Sequence, residues 1–142
     1  LLVAGAVVAA AVLSSLPPPA KALAAAGGAI ARVGPGPVQE LVTKNGRIEL
    51  RVTPNRAAAP NTFSIRVTKD GEPVRHLTVI AGFAMLDMEM GTQKSVLPEL
   101  APGLYERAAP ALVMVGHWGL SFEITPPGQQ PFTITLVDRT TG

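Results

Sequence analysis

Trp118-Gly119-Leu120-Ser121-Phe122-Glu123-Ile124-Thr125 alternates a large apolar residue with a small or polar one along its whole length. Successive side chains of an extended strand point to opposite faces, so Trp118, Leu120, Phe122 and Ile124 share one face. Period two of this kind marks a half-buried strand. Pro126-Pro127-Gly128 interrupts it with a turn, and Phe132, Ile134 and Leu136 resume it on the far side. Upstream, Arg47-Ile48-Glu49-Leu50-Arg51-Val52 repeats the alternation, as do Phe63, Ile65 and Val67 against Ser64, Arg66 and Thr68. Asp70-Gly71 supplies residues that tolerate the positive φ of a tight hairpin turn, and a further strand runs from Leu77 through Phe83. Short strands divided by Pro/Gly turns at this spacing predict an all-β fold, an Ig-like or fibronectin-like antiparallel β-sandwich. With one Trp, one Tyr and four Phe in the chain, aromatic packing rests on few residues. Trp118 is expected to be an inward anchor, with Phe122 and Tyr105 beside it in the core.

The N-terminal region reads differently. Residues Leu1 to Leu16, LLVAGAVVAAAVLSSL, carry no charge, and the first charged residue is Lys21. A helix of this length would span roughly 24 Å, against the roughly 30 Å of a bilayer's hydrocarbon core. The chain begins with Leu, so the reading is that the segment's start lies upstream. Two interpretations fit: the second half of a transmembrane helix closed by Pro17-Pro18-Pro19, or a secretory signal with Ala22-Leu23-Ala24 as its small-residue cleavage site. Both place the remainder of the chain outside the cytoplasm. The adjoining Ala/Gly/Pro-rich stretch, broken by Gly34-Pro35-Gly36-Pro37, reads as a linker. The expected organisation is a membrane helix at 1–19, a linker at 20–41 and the β-domain at 42–142.

Composition narrows the function. Of 142 residues 47% are hydrophobic and 15% charged, and mean hydropathy is +0.31, too apolar for a disordered chain. Twelve basic residues against ten acidic give a net charge of +2, with no Lys/Arg cluster of the kind nucleic-acid binders carry. The absence of cysteine removes disulfides, thiolate metal sites and cysteine nucleophiles. No nucleophile elbow accompanies the two histidines, His76 and His117, and Gly34-Pro35-Gly36 lacks the glycine pattern and lysine of a phosphate loop. Glu99, Glu106, Glu123 and Asp138 occur singly and are expected to be solvated strand-face charges. The sequence therefore points away from an enzyme.

Chemistry concentrates in Met85-Leu86-Asp87-Met88-Glu89-Met90-Gly91, which holds three of the four methionines. On a strand, Met88 and Met90 would point to one face. The fourth, Met114, precedes His117-Trp118. Thioether sulfur is a soft donor that favours Cu(I), and imidazole also accepts copper, so Met85, Met88, Met90, Met114 and His117 are candidate ligands. Methionine is equally a gap-filler in cores, so a metal site and simple packing are both open on chemistry alone. Strand parity turns His117 outward while Trp118 turns in.

Four motifs in order resemble the YtkA-like family: Asp70-Gly71-Glu72-Pro73-Val74, then Met85-Leu86-Asp87-Met88-Glu89-Met90, then Pro102-Gly103-Leu104-Tyr105, then Met114-Val115-Gly116-His117-Trp118. The resemblance spans roughly Val42 to Asp138. The apolar run ending in Leu13-Ser14-Ser15-Leu16-Pro17-Pro18-Pro19 is similar to the last transmembrane helix of CopD-family copper resistance and copper transport proteins, some of which carry a YtkA-like domain at the C-terminus. Together these resemblances imply an extracytoplasmic copper-handling domain attached to upstream membrane helices, with a periplasmic copper carrier as a possible partner. The related CopC proteins bind Cu(II) through an N-terminal histidine. This β-domain comes after a helix and linker, so the implied site is methionine-based and suited to Cu(I). The competing expectation is an Ig-like interaction module without metal.

Overall fold

A computed structural model describes residues 30–32 and 38–142. The strands are β1 (Ile30–Arg32), β2 (Val38–Thr43), β3 (Gly46–Thr53), β4 (Asn61–Lys69), β5 (Glu72–Pro73), β6 (Thr78–Met85), β7 (Thr92–Leu97), β8 (Glu99–Ala101), β9 (Leu104–Ala109), β10 (Gly116–Thr125) and β11 (Phe132–Thr140). Among the described residues they form two antiparallel sheets and no helix. One sheet has the order β1-β2-β3-β4-β9-β8, with β5 added beside β4; the other has the order β11-β10-β6-β7. The proposed membrane helix at 1–19 lies outside the described residues.

The alternation read from the sequence sets the registers. In β10, Trp118 pairs with Met85 of β6 and Asp138 of β11, and Phe122 pairs with Ala81 and Ile134. Trp118, Leu120, Phe122 and Ile124 from this strand meet Ile48, Leu50, Phe63 and Ile65 of the other sheet in one continuous core, and Tyr105 is also fully buried. The rings of Phe63 and Phe83 lie 4.6 Å apart at 50°, a tilted pair bridging the two sheets. Burying a large apolar side chain is worth roughly 1.5–3 kcal/mol.

Three expectations are corrected. The sheet begins earlier than residue 42, for β1 and the first four residues of β2 fall within the stretch read as linker. In β2 the inward positions are Gln39 and Leu41, while Val38 and Val42 face out, so the usual polar-apolar alternation is broken and does not announce a strand. Gln39 donates from Nε2 to the carbonyl of Val137, joining the first sheet to the edge of the second. Asp138 is not a solvated charge: it is fully buried. Its Oδ1 accepts from Asn55 Nδ2 at 3.0 Å and its Oδ2 from Thr140 Oγ1 at 2.9 Å. Burial raises its pKa, and the donors from Thr140, Asn55 and the Arg139 backbone only partly offset this. Glu99 is likewise not a lone surface charge. Its carboxylate accepts the backbone N–H of His76 (3.3 Å) and of Gly103 (3.2 Å), lies 3.4 Å from the Tyr105 hydroxyl, and faces Arg75 Nε at 3.6 Å.

The registers also sort the loops into two ends. Loops 54–60, 86–91 and 110–115 gather with the C-terminal residues at one end. Ala57 N–H donates to Thr141 O and Ala58 N–H to Leu112 O, tying three of these segments together. Turns 44–45, 70–71 and 126–131, with segment 74–77, lie at the other end. Ile30 pairs with Val42 beside turn 44–45, so β1 starts from this second end.

Candidate metal site

β6 and β10 are neighbours in the second sheet, and the loops that carry the methionines leave from their adjoining ends. The strand β6 ends at Met85, so Met88 and Met90 lie in loop 86–91 and not on the strand that would have aligned them. That loop is nonetheless fastened to β10. Leu86 N–H donates to His117 O at 2.8 Å, and Asp87 Oδ2 accepts the His117 backbone N–H at 2.8 Å. The same Oδ2 lies 3.3 Å from Nδ1 of the His117 ring. On the β10 side, Trp118 Nε1 donates to Met114 O at 3.0 Å, fixing loop 110–115 over the buried indole.

The methionines divide into two groups. Met85 is 9% exposed and belongs to the core, across from Trp118. Met88, Met90 and Met114 are 50%, 46% and 38% exposed. Leu86, Val113 and Val115 are exposed beside them, so this end of the sandwich presents apolar surface as well as thioethers. His117 is partly exposed, its parity partner Glu123 is exposed, and Trp118 is buried. Phe122 and Tyr105 are both fully buried.

Gly116 holds these parts close. Its φ is +144°, and a Cβ there would sit 2.5 Å from Asp87 Oδ2 and 2.5 Å from the Met85 methyl. Only glycine leaves room for both. The His117 backbone N–H holds the exposed Asp87 carboxyl below its ordinary pKa, against a smaller opposing desolvation, and the His117 ring acts in the same direction. Sequence reasoning misses Asp87. Its position between Met85 and Met88 is the available signal, but its partner is 30 residues away and only the sheet register supplies it.

The donor set here is soft: three exposed thioethers and one imidazole. Among the described residues no group of three His, Asp or Glu is placed to hold a metal ion. The residues present therefore fit a thiophilic ion such as Cu(I) better than a hard cation.

An all-β, two-sheet sandwich with a methionine-bearing loop end is the class of protein this architecture defines. The chain belongs to the YtkA-like family, whose model matches residues 40–123. The match takes in both methionine loops, Asp87, His117 and Trp118, and stops inside β10, short of β11 and Asp138. No curated protein and no solved structure matches the chain.

Proposed function

We propose that this is an extracytoplasmic copper-handling domain that takes Cu(I) at its loop end through Met88, Met90, Met114 and His117, with Met85 beneath them. The observation that carries the reading is the exposure of three of four methionines at one end, beside a histidine hydrogen-bonded to a carboxylate. Thioethers that serve packing alone are expected to be buried, as Met85 is. Copper when bound would be cargo, supporting copper transport or resistance by a CopD-like membrane protein whose helices lie upstream, with exchange to a periplasmic copper carrier. The apolar run Leu1–Leu16 supports a place at the cell membrane. β1 starts from the end opposite the methionines, so a domain anchored through its N-terminal side would offer the methionine loops away from the bilayer. Binding and release of the ion involve no catalytic step.

The test is a competitive Cu(I) titration of the 142-residue chain in mild detergent against a chromogenic chelator. One equivalent of saturable binding is expected in the parent. A Met88→Leu/Met90→Leu/Met114→Leu variant should lose it while costing less than about 1.5 kcal/mol of stability per site, because Leu and Met have similar volumes. Equal binding by both proteins would defeat the assignment.

A second reading has its own support. The order β3-β4-β9-β8 against β11-β10-β6-β7 matches the A-B-E-D and G-F-C arrangement of an Ig-type sandwich, with an extra edge strand and an added β1-β2 hairpin. Exposed Leu86, Val113 and Val115 would suit docking on a transporter or periplasmic partner. A chain that binds no Cu(I) in the titration would favour this reading.

A further inference from the structure

We infer that Asp87 is a positioning residue that fixes the ring of His117 as its Nδ1–H tautomer, leaving Nε2 as the nitrogen presented for binding a soft metal ion. The inference rests on the copper reading for its purpose, but the ring geometry stands without it. A carboxylate cannot donate, so the ring nitrogen facing Asp87 Oδ2 at 3.3 Å must carry the proton. The same oxygen accepts the His117 backbone N–H at 2.8 Å, which holds the carboxylate in place independently of the ring. Leu86 N–H to His117 O closes the pair of strands from the other side. The side chain is thus fixed by one backbone and one ring contact from a single residue, and Gly116 keeps the space it occupies. Metal-binding histidines commonly have this support: a carboxylate on one ring nitrogen sets the tautomer and raises the basicity of the other.

His76 provides an internal contrast. Its backbone N–H also meets a carboxylate, Glu99 Oε1 at 3.3 Å, but its ring Nδ1 is 3.9 Å away, beyond hydrogen-bond reach. Glu99 is moreover engaged by Gly103, Tyr105 and Arg75. A histidine beside a carboxylate occurs at both ends of the sandwich, and only one pair is arranged to fix a tautomer.

The experiment uses the 142-residue chain, labelled with nitrogen-15 and metal-free, in mild detergent at a pH where both imidazoles are neutral. His117 should show one pyrrole-like and one pyridine-like ring nitrogen, with Nδ1 the protonated one, while His76 shows two nitrogens averaged between tautomers. In Asp87→Ala the His117 signals should average as those of His76 do. Asp87→Asn, whose amide oxygen can still accept from Nδ1–H, should retain part of the bias and guards against a fold defect in the alanine variant. Titration with Cu(I) alone should then show a 10–100-fold weaker affinity for Asp87→Ala, and Asp87→Ala should cause no further loss in a chain that already carries His117→Ala. A His117 tautomer that is averaged in the parent, or unchanged in Asp87→Ala, would overturn the inference. A fixed tautomer in a parent that binds no Cu(I) would support the positioning role and defeat the copper reading.

Discussion

Each end of this sandwich sets a histidine beside a carboxylate, and the two ends are otherwise built differently. At the turn end, Glu99 gathers donors from His76, Gly103 and Arg75, and Tyr105 OH donates to Val74 O at 2.8 Å while accepting Leu77 N–H at 3.1 Å. Burial raises the Tyr105 pKa, which keeps the hydroxyl protonated and able to donate. The Glu99 carboxyl loses solvent, yet the backbone donors of Gly103 and His76, with Arg75 and the His76 ring, hold its pKa below the ordinary value. This end is saturated and closes the fold. At the loop end, Asp87 accepts from His117 alone among the described residues, and three thioethers with several apolar side chains face solvent. The difference is what supports the proposal of binding at the loop end.

The largest expected effect comes from the residue beneath the loop end. Trp118→Ala removes the buried indole opposite Met85 and the donor to Met114 O, and should cost about 3–5 kcal/mol in urea unfolding. It would also release loop 110–115. A change below about 1 kcal/mol would mean that the indole is not the floor of that end.

Tyr105→Phe is the matching test at the turn end. It strands Val74 O and Leu77 N–H and should cost about 1–3 kcal/mol. Cu(I) affinity should stay at the parent value, because sites without shared partners act additively. A parallel loss of copper binding would break the distinction between the two ends.

The smallest effect is the most directional. Asp138 has a raised pKa in the folded state, so its contribution to stability is fully present below the unfolded value and is lost as pH rises through the folded one. Asp138→Asn has no such dependence, and Thr140 can reverse its hydroxyl to accept from the new amide. The stability of the variant relative to the parent should therefore rise from about pH 4 upward and level off once Asp138 is ionised. Urea midpoints of both proteins across that range would read it. A difference that stays flat would show that the network fully compensates the buried charge.

Asp138 also shows how far sequence could be read. Ile134 and Leu136 define the inward face of β11, and one further step of two residues puts Asp138 and Thr140 on it. The alternation contained the answer, but a carboxylate breaks the apolar pattern, and its donor Asn55 is 83 residues away. β2 was hidden for the opposite reason, since Val38 and Val42 face out and Gln39 shares the inward face with Leu41. The strands of the central sheets were legible because burial on one face imposes period two on the residues themselves.

The sequence by itself determined the class of fold, the inward set Trp118, Leu120, Phe122 and Ile124, and a cluster of soft donors without cysteine. These come from local alternation and from side-chain chemistry, which need no knowledge of distant neighbours. Tertiary structure alone decided that Met85 is core while Met88, Met90 and Met114 are exposed, and that Asp87 meets His117. Both outcomes depend on the register between β6 and β10. Register is a property of two strands together, and neither strand carries it alone.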